Sequence, residues 1–202
     1  MPDTVLEPPP HTVPAVFTRT LLDWLPWLEP LAVEALTERH MASLVDAARV
    51  KSAYFRLLAR DPDALRARTL TDKDIFHNAD AGLPRAEREL AAATTSRFNG
   101  CIYCASVHSR FAATYSKREA DVQRLLDDGT NADLGERWNA IVAASVALSA
   151  TPITFGKQHV ERLRRAGLDD LAIADVIHAA AFFNWANRLM LSLGEPVAAA
   201  GT

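Results

Sequence analysis

Two cysteines occur in this 202-residue chain, three positions apart in the run Asn99-Gly100-Cys101-Ile102-Tyr103-Cys104, with His108 four residues further on. Successive residues of an α-helix turn by about 100°, so positions 101, 104 and 108 fall within an arc of roughly 60° on one face. Local geometry thus gathers two thiols and an imidazole. Asn99-Gly100 is a break signal, which puts Cys101 at a helix start. There, unpaired backbone N–H groups and the macrodipole stabilise an anion. The thiolate is the reactive form of cysteine, and such a place lowers its pKa. His108 can exchange the proton, and cysteines at this spacing close a disulfide with little backbone movement. The implied chemistry is thiol redox.

Other readings compete. A cysteine on an alanine-rich helix also serves as a small core residue. Cys-x2-Cys-x3-His offers three metal ligands, yet no further cysteine completes a structural zinc site, and only a distant His or carboxylate could. The expectation is a protein without metal. Covalent c-type haem is excluded because Ala105, not His, follows Cys104. No strand–GxGxxG–helix unit marks a nicotinamide or flavin site, so no cofactor is expected.

The elements that must position these groups read as helices. Glycine is scarce, alanine-rich segments are many, and no stretch alternates β-branched residues over any length. Residues 1–15, with Pro8, Pro9 and Pro10, read as an extended arm, and 16–202 as a single helical domain. Trp24, Pro26, Trp27 and Pro30 suggest short turns packed on the body or on a partner. Leu44, Ala47, Val50, Tyr54 and Leu57 recur at steps of three or four, giving a helical pattern from about 31 to 58. Asp61-Pro62 begins another helix, to about Phe76. Pro84 stands at the first position of a helix running to Phe98, with Glu87 and Glu89 in its early turns. Cys101 opens the next, to about Tyr115. Residues 118–128 form a short helix. Leu134, Trp138, Ile141, Val142, Ser145 and Leu148 make one stripe of a helix over 133–150. Residues 155–166 are helical up to Gly167. Asp169 or Asp170 caps an apolar helix over 170–183.

Between Leu83 and His108 the residues resemble the alkylhydroperoxidase core of the AhpD-like (carboxymuconolactone decarboxylase-like) superfamily. The likeness rests on Leu83-Pro84-Arg85-Ala86-Glu87-Arg88-Glu89-Leu90-Ala91-Ala92, then Ser96-Arg97-Phe98-Asn99-Gly100-Cys101-Ile102-Tyr103-Cys104-Ala105-Ser106-Val107-His108. The family's Glu stands where Glu89 does, 12 residues before Cys101. Peroxidase-related proteins of the superfamily also look similar at Ala166-Gly167-Leu168-Asp169 and Ala181-Phe182-Phe183-Asn184-Trp185-Ala186-Asn187-Arg188, so the likeness covers about residues 20–195. The resemblance implies an all-α, AhpD-like orthogonal helical bundle that forms homo-oligomers. It implies a thiol-dependent peroxidase that takes a peroxide substrate and is restored by an external dithiol or protein reductant. Cys104 matches the peroxidatic thiol, Cys101 the resolving thiol, and Glu89 with His108 the proton relay. One position departs: well-studied members carry a second His immediately before the second Cys, where this chain has Tyr103. A phenol, with a pKa of about 10, is a poor base at neutral pH. Decarboxylase members lack the Cys pair, which argues against that chemistry here. A general disulfide reductase or redox sensor, or a non-catalytic helical oligomer with a vestigial pair, are the alternatives.

Some residues admit plainer roles. Glu89 in an early turn could be a surface charge that complements the helix dipole. His178, on an apolar helix, reads as a satisfied core histidine, and His159 and His77 as surface residues. Asn184, Asn187 and Arg188 are candidates for a cavity wall or interface; Trp24 and Trp27 are candidates for core or interface anchors. The net charge of -3 gives no nucleic-acid surface. No apolar run approaches the ~20 residues that span a bilayer, and the first residues carry no signal-peptide pattern. The expected compartment is the cytoplasm.

Overall fold

The computed structural model describes residues 5–8 and 10–198. The order of elements is β1 (Leu22–Pro26), α1 (Glu38–Leu44), α2 (Ala53–Leu58), α3 (Pro62–His77), α4 (Arg85–Phe98), α5 (Ile102–Ser116), α6 (Glu119–Asp127), α7 (Glu136–Ser149), α8 (Lys157–Arg165), α9 (Asp170–Leu193) and β2 (Gly194–Ala198). The fold is all-α, with one small sheet.

Helix α4 is the centre. It packs against α5, α7 and α9, and every residue from Glu87 to Ser96 is buried. Ala91, Ala92, Ala93, Thr94, Thr95 and Ser96 are small, so neighbouring helices approach closely on several sides. The apolar stripe of α7 packs as its spacing requires: Trp138, Ile141, Val142 and Ser145 are all buried. Asp61 caps α3 through its side chain, which accepts from the Ala64 N–H. Asp169 caps α9 in the same way, accepting from Ala172. No helix among the described residues is long and apolar enough to cross a membrane.

Three expectations need correction. The segment from 31 to 58 is not one helix. Val45 has φ 63°, and the Asp46 side chain caps a fresh 3-10 turn over Ala47–Lys51. Leu44 and Tyr54 are buried, but from separate helices, and Ala47 is exposed. Secondly, Pro84 sits at the N-cap of α4, one position before the helix. Thirdly, the Trp24 region is a strand. β1 pairs antiparallel with β2 in the register Leu22 with Ala198 and Pro26 with Gly194. Both strands of a two-stranded sheet are edges, where proline's missing N–H is tolerated, so Pro26 and Pro196 do not forbid it. Gly194 is needed because a Cβ there would lie 2.2 Å from the Leu25 carbonyl oxygen and 2.4 Å from Trp24 Cζ2. The described part of the arm carries no helix or strand. It is held where the Leu6 N–H donates to the Trp27 carbonyl at 2.8 Å. The rest of that expectation, residues 1–4 and Pro9, lies outside the described residues.

Candidate active site

The turn between α4 and α5 sets the cysteines. Gly100 has φ 80°, and the Cys101 N–H reaches back to the Ser96 carbonyl at 2.9 Å, the six-residue closure of a glycine-ended helix. A Cβ on Gly100 would meet nothing within 4 Å, so its left-handed conformation, not space, is what asks for glycine. The chain restarts at once: Cys101 is the N-cap of α5, and its carbonyl accepts from the Ala105 N–H at 2.9 Å.

Both cysteines are free thiols, 1% and 6% exposed for Cys101 and Cys104. The Cys104 S–H donates to the Cys101 sulfur. This hydrogen bond holds the Cys101 thiol below its ordinary range against the opposing effect of burial, helped by the Cys104 backbone N–H and the Asn187 side chain. Cys104, whose proton is the shared one, is pushed well above its ordinary range. Burial and the charge on Cys101 add to this; Asn187 and Arg68 offset only part. Of the two thiols, Cys101 is therefore the one that ionises first. Asn187 is fully buried. Its Oδ1 accepts from the Asn99 side chain at 3.1 Å, and its Nδ2 donates to Ser96 Oγ at 3.0 Å. That orientation aims amide hydrogens at the sulfur side.

Glu89 is 1% exposed, so the reading of it as a surface charge fails: α4 faces neighbours all around. Its Oε2 lies 2.7 Å from His108 Nδ1 and its Oε1 accepts from Arg85 Nε at 3.2 Å. With the carboxylate accepting at Nδ1, the imidazole keeps Nε2 as its basic nitrogen. The ring is fixed by Phe183, with centroids 4.0 Å apart, and by Phe76, stacked at 5.1 Å. Arg85 in turn lies over the Tyr115 ring at 4.3 Å.

These groups open on a cavity of about 490 Å³. Cys104, Glu89, His108 and Tyr103 line it, with Tyr54, Phe55, Phe76, Phe111, Tyr115 and Phe183 supplying aromatic walls; Cys101 does not. Burial pushes the Tyr103 phenol up, with the Cys104 charge adding, so it stays a hydroxyl at neutral pH. Among the described residues no group of three or more His, Cys, Asp and Glu side chains could hold a metal ion.

The four residues expected from the sequence are thus in one place. Of the others, Asn187 reaches the sulfurs, Asn184 holds Asn99 at 3.1 Å, and Arg188 is exposed, 3.4 Å from Thr151 Oγ1. His178 is exposed on α9, not a core residue: it falls on the outer face of that helix. His159 is half-buried, stacked on Phe155 at 5.3 Å. His77 is exposed at the cavity rim. Arg85 and Arg68 escaped the sequence reading; four-residue steps on one helix, Arg85 to Glu89 and Arg68 to Asp72, were the available signal.

Residues 62–144 match the model of the Carboxymuconolactone decarboxylase family. Several solved structures share the fold. An alkylhydroperoxidase AhpD core, uncharacterized peroxidase-related protein from Ralstonia eutropha JMP134 matches with a TM-score of 0.68 and 24% identity, over 81% of this chain and 87% of that one. An uncharacterized peroxidase-related protein from Silicibacter sp. TM1040 gives 0.66 and 20%, over 83% and 91%. The debrominase Bmp8 gives 0.65 and 20%, over 81% and 88%. No curated protein matches the chain. The segment that matches the family model, residues 62–144, holds Glu89, both cysteines and His108, and the chain shares the fold of AhpD-like, peroxidase-related proteins.

Proposed function

We propose that this protein is a thiol-dependent peroxidase acting on organic hydroperoxides. The observation that carries this reading is that Cys104 shares the cavity wall with an imidazole whose Nδ1 is held 2.7 Å from buried Glu89. His108 takes one proton from the cysteine pair and becomes imidazolium. The remaining S–H proton passes from Cys104 to Cys101, which leaves the thiolate on the sulfur that substrate reaches. Cys104 sulfur attacks the outer oxygen of RO–OH and the O–O bond breaks. The leaving alkoxide takes the imidazolium proton and departs as ROH, and Cys104 becomes a sulfenic acid. Cys101 sulfur then attacks Cys104 sulfur; hydroxide leaves with the Cys101 proton as water, and a disulfide forms. An external dithiol donates two electrons and two protons to restore both thiols. Tyr103 is placed to donate a hydrogen bond within the cavity, not to act as base.

The aromatic walls favour one second reading. The same dithiol can reduce an aryl bromide to the arene, releasing bromide and a proton as the disulfide forms, the kind of reaction the debrominase's name denotes. Mixing reduced protein with stoichiometric cumene hydroperoxide decides the first reading. Loss of two thiols, a mass lower by two hydrogens and one equivalent of alcohol are expected. Thiols that persist overturn it, and bromide release from a bromoarene would support the second.

A further inference from the structure

The cavity is far larger than hydrogen peroxide requires. Small-molecule sites run to about 300–1,000 Å³, and 490 Å³ lies within that range, whereas a water molecule occupies only about 30 Å³. Its wall also carries a charge that exchanges no proton with the thiols, although it eases ionisation of Cys104. Arg68, on α3, is 9% exposed, and its Nε and Nη1 have no hydrogen-bond partner. Its nearest acid, Asp72, lies 3.5 Å from Nη1 and is shared with Arg49 at 3.3 Å. Three arginines (49, 68 and 85) therefore face two carboxylates, Asp72 and Glu89, around the cavity, and Glu89 is already engaged by Arg85 and His108. The Arg68 guanidinium lies over the Phe55 and Phe182 rings, each at 5.4 Å, which fixes it without satisfying its donors. The Tyr54 hydroxyl is buried in the same wall beside Arg68, which offsets part of the rise that burial causes in the phenol. A buried guanidinium with unmet donors beside an apolar cavity calls for an anion: leaving such donors unpaired is costly, and the planar fork matches a carboxylate.

We infer that the cavity takes an organic substrate with an apolar, ring-sized body and one carboxylate, which pairs with Arg68 while the reacting group lies at Cys104. Arg68 is then the residue that sets substrate specificity. The inference rests on the peroxidase reading for the identity of the reacting group, a hydroperoxide, but the anion subsite stands apart from the reaction.

Binding of unreactive probes tests the subsite without turnover. Affinities of 4-tert-butylbenzoate and 4-tert-butylbenzamide for the reduced, full-length protein are measured by calorimetry, and again for Arg68→Met and Arg68→Lys. The acid is expected to bind roughly 10- to 100-fold more tightly than the amide, as a charge-assisted hydrogen bond provides. That ratio should collapse toward one in Arg68→Met and recover in part in Arg68→Lys. Equal binding of acid and amide to the unsubstituted protein overturns the inference whatever the variants do, as does an acid preference that survives Arg68→Met. Cumene hydroperoxide and its para-carboxylate are then compared as oxidants, with the carboxylate expected to have the lower KM. Should the benzoate bind through Arg68 while neither hydroperoxide consumes thiols, the subsite is upheld and the peroxidase reading fails.

Discussion

The sulfur that ionises first and the sulfur that meets substrate are different atoms, and the order of events at the pair follows from that. Cys101 is the lower of the two because Cys104 donates to it; Cys104 alone lines the cavity. Cys101→Ser should therefore react with hydroperoxide and stop at a sulfenic acid on Cys104, whereas Cys104→Ser should not react. Trapping with a sulfenic-acid reagent and peptide mapping reads this directly; a label on Cys101 in Cys104→Ser, with none on Cys104 in Cys101→Ser, reverses the roles. The titration has its own sign. In the intact pair the first thiol should ionise below the usual ~8.5 and the second above it. Removing the donor in Cys104→Ala should move the Cys101 midpoint up toward the ordinary value, as ultraviolet thiolate absorbance against pH will show; a midpoint that stays low means the helix start, not the second thiol, sets it. Away from the sulfurs, His108→Ala should slow oxidation by about 100-fold or more. Glu89→Gln should also slow it, because the carboxylate no longer fixes the His108 tautomer, with both thiols still countable in denaturant. These four residues were readable because they lie within 20 positions of one another on two consecutive helices. Arg68 was not, since its meaning depends on Asp72 being shared with Arg49 and on a cavity that only the folded chain encloses.

Between helices, one glycine carries the geometry. α4 must end and α5 begin within Asn99-Gly100-Cys101, so that Glu89 on one helix meets His108 on the next at 2.7 Å. Gly100 does this by taking φ 80°. Alanine would find room there but would carry the left-handed penalty of roughly 1–2 kcal/mol. Gly100→Ala should thus lower the unfolding free energy by that amount, seen as a lower urea midpoint with the slope unchanged, and it should also slow thiol oxidation, because the N-cap is displaced. No change in midpoint would show that the turn tolerates a side chain. The break at Asn99-Gly100 and the cap at Asp61 were legible because their signals are local. The division of 31–58 was not: Val45 adopts φ 63° with no glycine to announce it, and apolar steps of three and four continue across the break in the sequence. α9 ran further than its apolar stretch suggested because nothing between Phe183 and Gly194 breaks a helix, and that extension brings Asn187 to the sulfurs.

Across the whole molecule, distant parts of the chain meet at the sheet, and the sheet reaches the cavity. β1 follows the N-terminal arm and β2 follows α9, so their pairing joins residues about 170 apart in sequence. Strand pairing at that separation leaves no local signature beyond five residues of mixed character, and Pro26 and Pro196 argue against strand in any sequence window; this is why the sheet was missed while the helices were not. The contact that matters runs from Gly194 through Trp24 to Tyr54. The Trp24 ring lies where a Gly194 Cβ would fall, at 2.4 Å, and it packs edge-on to Tyr54 with centroids 5.4 Å apart. Tyr54 is cavity wall, whereas Glu89 and His108 belong to α4 and α5. Gly194→Ala must push the ring or the Leu25 carbonyl aside, an overpacking that costs about 1–3 kcal/mol. The displaced Trp24 should then disturb the Tyr54 side of the cavity and leave the Glu89–His108 contact in place. The expected outcome is a lower denaturation midpoint and a raised KM for a ring-bearing hydroperoxide, with kcat held within about twofold, since the groups that act in the transition state keep their places. Equal falls in kcat and in kcat/KM would instead tie the sheet to the relay, and an unchanged midpoint would show that the close approach at Gly194 is not needed.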